Sequence, residues 1–118
     1  MTFKGIDAHQ HFWKYDPVRY SWIGDSMKSI KKDFLPGDLQ PLLKENNFDG
    51  CIAVQADQGS AETEFLLNLA EDNPFIKGVV GWVDLYSPQV KSRLKELAQN
   101  PFLKGIRHTV YDQKGEYL

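Results

Sequence analysis

Apolar residues follow two different spacings along this chain, and the spacings alternate. Short continuous runs, such as Cys51-Ile52-Ala53-Val54 and Gly78-Val79-Val80-Gly81-Trp82-Val83, suit strands covered on both faces, as parallel strands under helices are. Between them apolar positions recur at helical spacing: Leu39, Leu42 and Leu43, then Phe65, Leu66 and Leu69, then Val90, Leu94, Leu97 and Ala98. The pattern predicts strands near 4–11, 50–56, 77–84 and 103–109, and helices near 38–47, 60–73 and 87–99. Punctuation supports the helices. Asp38 is read as capping the first, with Pro41 tolerated in its first turn and Asn46-Asn47 closing it. The second begins near Ser60, carries Glu62 and Glu64 at its positive end and stops at Asn73-Pro74. In the third, Ser87 caps, Pro88 takes the first helical position and Asn100-Pro101 ends it.

The strand entries share a phrase: an aromatic, one or two residues, a glycine, then an apolar run. It occurs at Phe3-Lys4-Gly5, Phe48-Asp49-Gly50, Phe75-Ile76-Lys77-Gly78 and Phe102-Leu103-Lys104-Gly105. Gly50, Gly78 and Gly105 follow one another at 28 and 27 residues, the length of one βα unit. The order β-α-β-α-β-α-β implies a parallel sheet with right-handed crossovers, either an open doubly wound sheet or part of a barrel.

One connection breaks the period. Phe12 to Gly37 separates the first strand from its helix and contains Trp13, Tyr15, Tyr20, Trp22 and Phe34. An excursion of that length and aromatic content suggests a lid over a cleft, with a self-packed surface loop as the alternative. Lys28, Lys31 and Lys32 read as a solvated face.

Composition narrows the class. With 118 residues, 42% hydrophobic and 25% charged, the chain has the make-up of one soluble globular domain. A formal net charge of -2 offers no basic face to nucleic acid and no polybasic segment to a membrane. No apolar run reaches signal-peptide or membrane-spanning length, so the expected location is cytoplasmic. Cys51, the single cysteine, lies in an apolar run and is expected to be a buried thiol in a reducing compartment.

Candidate chemistry begins at the end of the first strand. Residues two apart on a strand share a face, so Asp7, His9 and His11 are expected to project together while Ala8 and Gln10 face away. Two imidazoles on a rigid support can hold a divalent cation, zinc first among them, although a bare His-x-His is equally a pair of core or surface histidines. Parallel α/β proteins build their sites at the C-terminal strand ends, which is where these two fall. Equivalent positions carry Gln55 and Asp57, Trp82 and Asp84, and Arg107 and His108. Together these look like one rim. Each also has a plainer reading: the aspartates as turn caps, Trp82 as core, Arg107 as half of an ion pair. No G-x-G-x-x-G, P-loop or G-x-S-x-G is present.

The run Ile6-Asp7-Ala8-His9-Gln10-His11-Phe12-Trp13 closely resembles the opening strand of sugar-lactone hydrolases in the amidohydrolase superfamily, L-fuconolactonase-like and L-rhamnonolactonase-like enzymes above all. Asp33-Phe34-Leu35-Pro36, Val54-Gln55-Ala56 with Ala61-Glu62-Thr63, and Leu103-Lys104-Gly105-Ile106-Arg107-His108 match in the same order. The resemblance implies an α/β fold, the N-terminal part of a (β/α)₈ TIM barrel of about four βα units. Residues 1–118 would then be an incomplete barrel domain, since a whole barrel takes ~250 residues.

The implied activity is hydrolysis of a small sugar lactone to its acid, with this chain supplying part of the active site. His9, His11 and His108 are the implied catalytic residues, and His9 and His11 the implied ligands of a divalent metal, zinc by preference, in a branch whose metal requirement varies. Trp13, Gln55, Asp57, Trp82, Asp84 and Arg107 are the implied substrate contacts. Later strands of relatives bring further histidines and a terminal-strand aspartate that activates water. Two rivals stand beside this reading: a metal-dependent decarboxylase or other hydrolase of the same superfamily, and a non-catalytic half barrel that self-associates or binds a ligand. The expected partners are a sugar lactone and either a second copy of the chain or a missing C-terminal half, with neither nucleic acid nor membrane.

Overall fold

The computed structural model describes residues 4–109. Its elements run β1 (Ile6–Gln10), α1 (Pro36–Glu45), β2 (Gly50–Val54), α2 (Ser60–Asp72), β3 (Ile76–Gly81), α3 (Val90–Leu97) and β4 (Leu103–Ile106). All neighbouring strands are parallel, and their order across the sheet is β1-β2-β3-β4. A doubly wound sheet reverses its strand order at a switch point. This sheet never does, so of the two architectures open from the sequence it takes the singly wound arc of a barrel.

The repeated phrase has a structural meaning. The amide of Cys51 donates to the Phe75 carbonyl at 2.9 Å, and that of Val79 to the Phe102 carbonyl at 2.8 Å. Each phrase thus starts the ladder on which the preceding strand is hung. Glycine is needed at 50 because a Cβ there would lie 2.2 Å from the Phe75 carbonyl oxygen. The first phrase begins at Phe3, outside the described residues.

The core lies between the sheet and its helices, where Cys51, Ala53, Leu66, Ala70, Ile76 and Val79 are buried almost completely, with Leu43, Leu67 and Leu97 around them. Full burial of an aliphatic side chain contributes about 1.5–3 kcal/mol each, which accounts for why the apolar faces of α1, α2 and α3 turn inward. Among the described residues no helix is long and apolar enough to cross a membrane.

Several element ends differ from the sequence reading. α1 starts at Pro36 rather than 38, because proline presets the first helical dihedral. Asp38 therefore sits inside the first turn and its Oδ2 accepts the Leu35 amide at 3.0 Å. Pro41 falls in the helix interior instead of the first turn, tolerated where Gly37 and Pro41 are both open to water. Asn47, at φ 62°, closes the helix in the left-handed region. Ser87 caps a turn instead of α3: its Oγ accepts the Gln89 amide at 3.1 Å and the helix begins at Val90.

The excursion is ordered on two counts. Trp13 and Phe34 form an antiparallel bridge, each amide donating to the other's carbonyl at 3.0 and 2.9 Å, and a 3₁₀ segment spans Asp25–Ile30. Trp13, Tyr20 and Ile23 make a second small core with Tyr15, Ile30, Phe34 and Ala56 around it. Because Ala56 belongs to the segment after β2, this self-packed loop is also seated across the strand ends.

Candidate active site

β1 and β2 lose register between Asp7 and Gln10, where three residues of one strand pass two of the other. Such a bulge re-aims side chains. It breaks the simple alternation expected here: Asp7 does not join the histidine rings but accepts from the His9 amide at 3.1 Å and from Gln10 Nε2 at 3.2 Å. His9 and His11 do converge. Their Nε2 atoms lie 3.2 Å apart and their rings meet edge to face, with centroids at 4.8 Å.

The tautomers follow from the partners. His11 Nδ1 lies 3.0 Å from the Val54 carbonyl, which can only accept, so Nδ1 carries the hydrogen and Nε2 presents a lone pair. His9 Nε2 lies 3.1 Å from Arg107 Nη1, which can only donate. One ring nitrogen cannot both accept from Arg107 and donate to His11. If it accepts, two lone pairs face each other across 3.2 Å.

An electrophile between them removes the conflict. Two nitrogens bound to zinc at about 2.0–2.1 Å in tetrahedral geometry stand ~3.3 Å apart, close to the separation found. The donor pair therefore fits a divalent cation, with the Val54 carbonyl fixing the His11 ring as outer partners of metal-bound histidines do. Burial, the larger effect, lowers the pKa of His11; the Val54 hydrogen bond raises it, and the His9 and Arg107 charges lower it further. The neutral form is the one that ligates. Among the described residues no group of three or more histidine, cysteine, aspartate or glutamate side chains completes a metal site.

Arg107 is held from below. Its Nε donates to Gln55 Oε1 at 2.7 Å, and Gln55, only 1% exposed, uses its own Nε2 on the Asp57 carbonyl at 3.1 Å. The segment after β2 is fixed in turn by Glu62 on α2, whose buried Oε2 accepts the Ala56 and Asp57 amides at 2.6 and 2.8 Å. Asp57 receives Arg19 Nε and Nη2 at 3.1 and 2.8 Å, which ties the aromatic excursion to this loop.

These groups surround a cavity of about 410 Å³, within the usual range for small-molecule sites. His11, Gln55, Asp57 and Arg107 lie along it together with Trp13, Trp22, Gln58 and Thr109. Of the residues singled out in the sequence, His9, His11, Trp13, Gln55, Asp57 and Arg107 are thus brought together.

Three are not. Trp82 and Asp84 line a separate hollow with Ser60, Ser87 and Arg93. His108 packs on the Trp82 and Tyr86 rings, both at 5.8 Å between centroids. The reasons are local. Thr63 Oγ1 takes both the amide and the carbonyl of Trp82, at 2.8 and 2.7 Å, and a Cβ on Gly81 would meet Thr63 Cγ2 at 2.7 Å. Asp84 caps its own turn through the Tyr86 amide at 2.9 Å. Arg107 lines the cavity, whereas the next residue, His108, turns its ring to Trp82 and Tyr86 instead.

Sequence reasoning missed Gln58, Thr109 and the buried Glu62 and placed Trp22 only within the aromatic excursion read as a lid. Of the three missed, only Glu62 had a signal available: it stands four and seven residues before Leu66 and Leu69, on the apolar stripe of α2.

The chain matches the amidohydrolase family over residues 6–117 and belongs to it. It is 45% identical over 108 residues to an L-fucono-1,5-lactonase of Burkholderia multivorans, and 38% identical over 112 residues to an L-fucono-1,5-lactonase of Burkholderia ambifaria. These alignments cover 92% and 95% of this chain but 36% and 38% of those proteins. An amidohydrolase from Burkholderia multivorans, crystallised with bound zinc, superposes with a TM-score of 0.88 at 43% identity, over 96% of this chain and 39% of the other. A probable 2-pyrone-4,6-dicarboxylic acid hydrolase from Acinetobacter baumannii shares the fold, with a TM-score of 0.68 at 17% identity, over 92% and 39% of the two chains. The four strands and their helices are accordingly part of a (β/α)₈ barrel, and the chain spans a little over a third of the length of the relatives it matches.

Proposed function

We propose that the whole protein is a hydrolase that opens a small sugar lactone, L-fucono-1,5-lactone or a close analogue, to its hydroxy acid. The observation that carries this reading is the convergence of His9, His11 and Arg107 at the C-terminal strand ends, on a cavity walled by tryptophans. The names of the two Burkholderia relatives support the substrate class.

In this reading the lactone carbonyl lies against Arg107 and the histidine pair. Water adds to the carbonyl carbon, its proton passing to a base that, on the family resemblance, comes from the barrel's terminal strand. The tetrahedral oxyanion is met by the guanidinium, a donor already oriented by Gln55 and so needing no reorganisation. The carbonyl re-forms as the ring C–O bond breaks, and the ring oxygen leaves as a hydroxyl, taking back the proton that the base removed from water. His9 and His11 would hold a divalent cation, zinc by preference, which supplies Lewis-acid polarisation of the carbonyl when bound. Trp13 contributes an apolar wall. Gln55 positions Arg107 instead of meeting substrate, since its amide is used on both sides.

The test is acid release from purified aldonolactones by the whole protein. Steady turnover of L-fucono-1,5-lactone, lost by orders of magnitude in a His9→Asn/His11→Asn variant that still melts cooperatively, is the expected result. Release of carbon dioxide from an aromatic or keto acid, with every lactone left intact, would move the protein to the decarboxylase reading.

A further inference from the structure

The cavity has a side that the histidines and Arg107 do not explain. Trp22 lines it with 52% of its surface open, while Trp13 and Tyr20 of the same excursion are buried and Tyr15 and Phe34 half-buried. It is not loosely held: its ring stands edge to face on buried Trp13, with centroids 6.1 Å apart and planes at 86°. The same lining includes Gln58, whose Oε1 is buried without a hydrogen-bond partner among the described residues. A buried acceptor left unpaired is costly, and it wants a hydrogen from whatever occupies the space next to it.

We infer that Trp22 and Gln58 form the subsite for the hydroxylated carbons of the substrate, in the same cavity as the groups that act on its carbonyl. The inference rests on the lactonase reading and narrows its substrate class. A sugar lactone has a ring face of C–H groups and a rim of O–H donors. Indole covers the first and an amide oxygen accepts from the second. Both residues are anchored: Arg19, near Trp22 in the excursion, is bound to Asp57, which immediately precedes Gln58. A lactone without hydroxyls would leave the Gln58 oxygen unsatisfied, so the subsite selects for polyhydroxylated rings.

The experiment measures binding and turnover separately, in the whole protein. Calorimetric titration uses two lactams that the enzyme cannot open, L-fuconolactam and δ-valerolactam. The unmodified protein is expected to bind the hydroxylated lactam at least about tenfold more tightly, with Gln58→Ala removing most of that preference. Trp22→Ala should weaken both lactams by about tenfold or more, and Trp22→Phe, which keeps a ring on Trp13, should restore most of the loss. Melting temperatures within a few degrees of the parent establish that the variants fold. Lactam affinities unchanged in Trp22→Ala and Gln58→Ala, or no preference in the unmodified protein, would overturn the inference. Tight, Trp22-dependent lactam binding without opening of any lactone would instead refute the hydrolase reading and leave the subsite standing.

Discussion

Arg107 Nε, just past β4, donates to Gln55 Oε1, just past β2, at 2.7 Å across the end of the intervening β3, and the acceptor is almost wholly buried. A guanidinium on a flexible stem is useful to an oxyanion only if it already points the right way. Gln55 does this with one end of its amide while the other end holds the Asp57 carbonyl. Gln55→Leu keeps the volume and removes both bonds. Turnover of the lactone should fall about 10- to 100-fold, the usual cost of losing such a supporting partner, with the loss in kcat rather than KM. Steady-state kinetics decide it: a changed KM with kcat intact would mean that Gln55 meets the substrate.

Glu62 does for a loop what Gln55 does for a side chain. Its carboxylate has no exposed surface and receives two backbone amides. Burial, the dominant effect, lifts its pKa above the ordinary 4.5 despite those two hydrogen bonds. A raised acid pKa means that the folded state holds the proton more tightly. The contribution to stability is then full below about pH 4.5 and is lost as pH rises through the folded value. Glu62→Ala strands two buried donors and should cost about 2–3 kcal/mol in urea unfolding. Glu62→Gln retains an oxygen that can accept both amides, and should lie within about 1 kcal/mol of the parent with a flatter pH dependence. Equal losses for both variants would show that the charge itself is required.

His11 moves the other way. Burial holds its imidazole below the ordinary 6.5, with the His9 and Arg107 charges adding to the effect against the Val54 hydrogen bond. Its contribution is present above the unfolded value and is lost as pH falls through the folded one, so acidification from neutrality should destabilise the protein. Histidine NMR titration should give His11 a midpoint under 6.5. A midpoint above it would mean that the bond to the Val54 carbonyl outweighs desolvation.

The buried thiol gives a simpler check. Burial pushes the Cys51 pKa up to about 12. Native protein at about pH 8 should resist iodoacetamide and react only after denaturation, since the thiolate is the nucleophile. Labelling of the folded protein at the rate of a free thiol would place Cys51 outside the core.

Strands, helices and their order were legible because burial on both faces and helical stripes leave periodic traces in residues such as Val79, Val80, Leu66 and Leu69. The histidine pair was legible because His-x-His at a strand end suggests a shared face, and the two rings meet even though a bulge interrupts the period and His11 lies just past β1. What failed was whatever depended on local deviation from those periods. The bulge after Asp7 turned that side chain to Gln10, and Thr63 captured the backbone amide and carbonyl of Trp82. Trp22 and Gln58 sit in segments with no period at all, where only the folded chain brings residues together.

Arg107 and a cation are rivals for one lone pair, and that yields opposite effects from a single substitution. Arg107 Nη1 lies 3.1 Å from His9 Nε2, the same atom that would ligate a metal together with His11 Nε2. Removing the guanidinium frees the nitrogen and takes away a positive charge that repels the ion. Zinc at about 100 times its Kd should stabilise the metal-stripped whole protein by about 2.7 kcal/mol in thermal unfolding, and His9→Asn should abolish most of this. Arg107→Met should bind zinc more tightly than the parent while lactone turnover collapses, because the oxyanion has lost its donor. Competition against a chelator of known affinity measures the first and acid release the second. If zinc binding weakens in Arg107→Met, the guanidinium supports the metal site instead of competing with it, and the two lone pairs are reconciled by a proton.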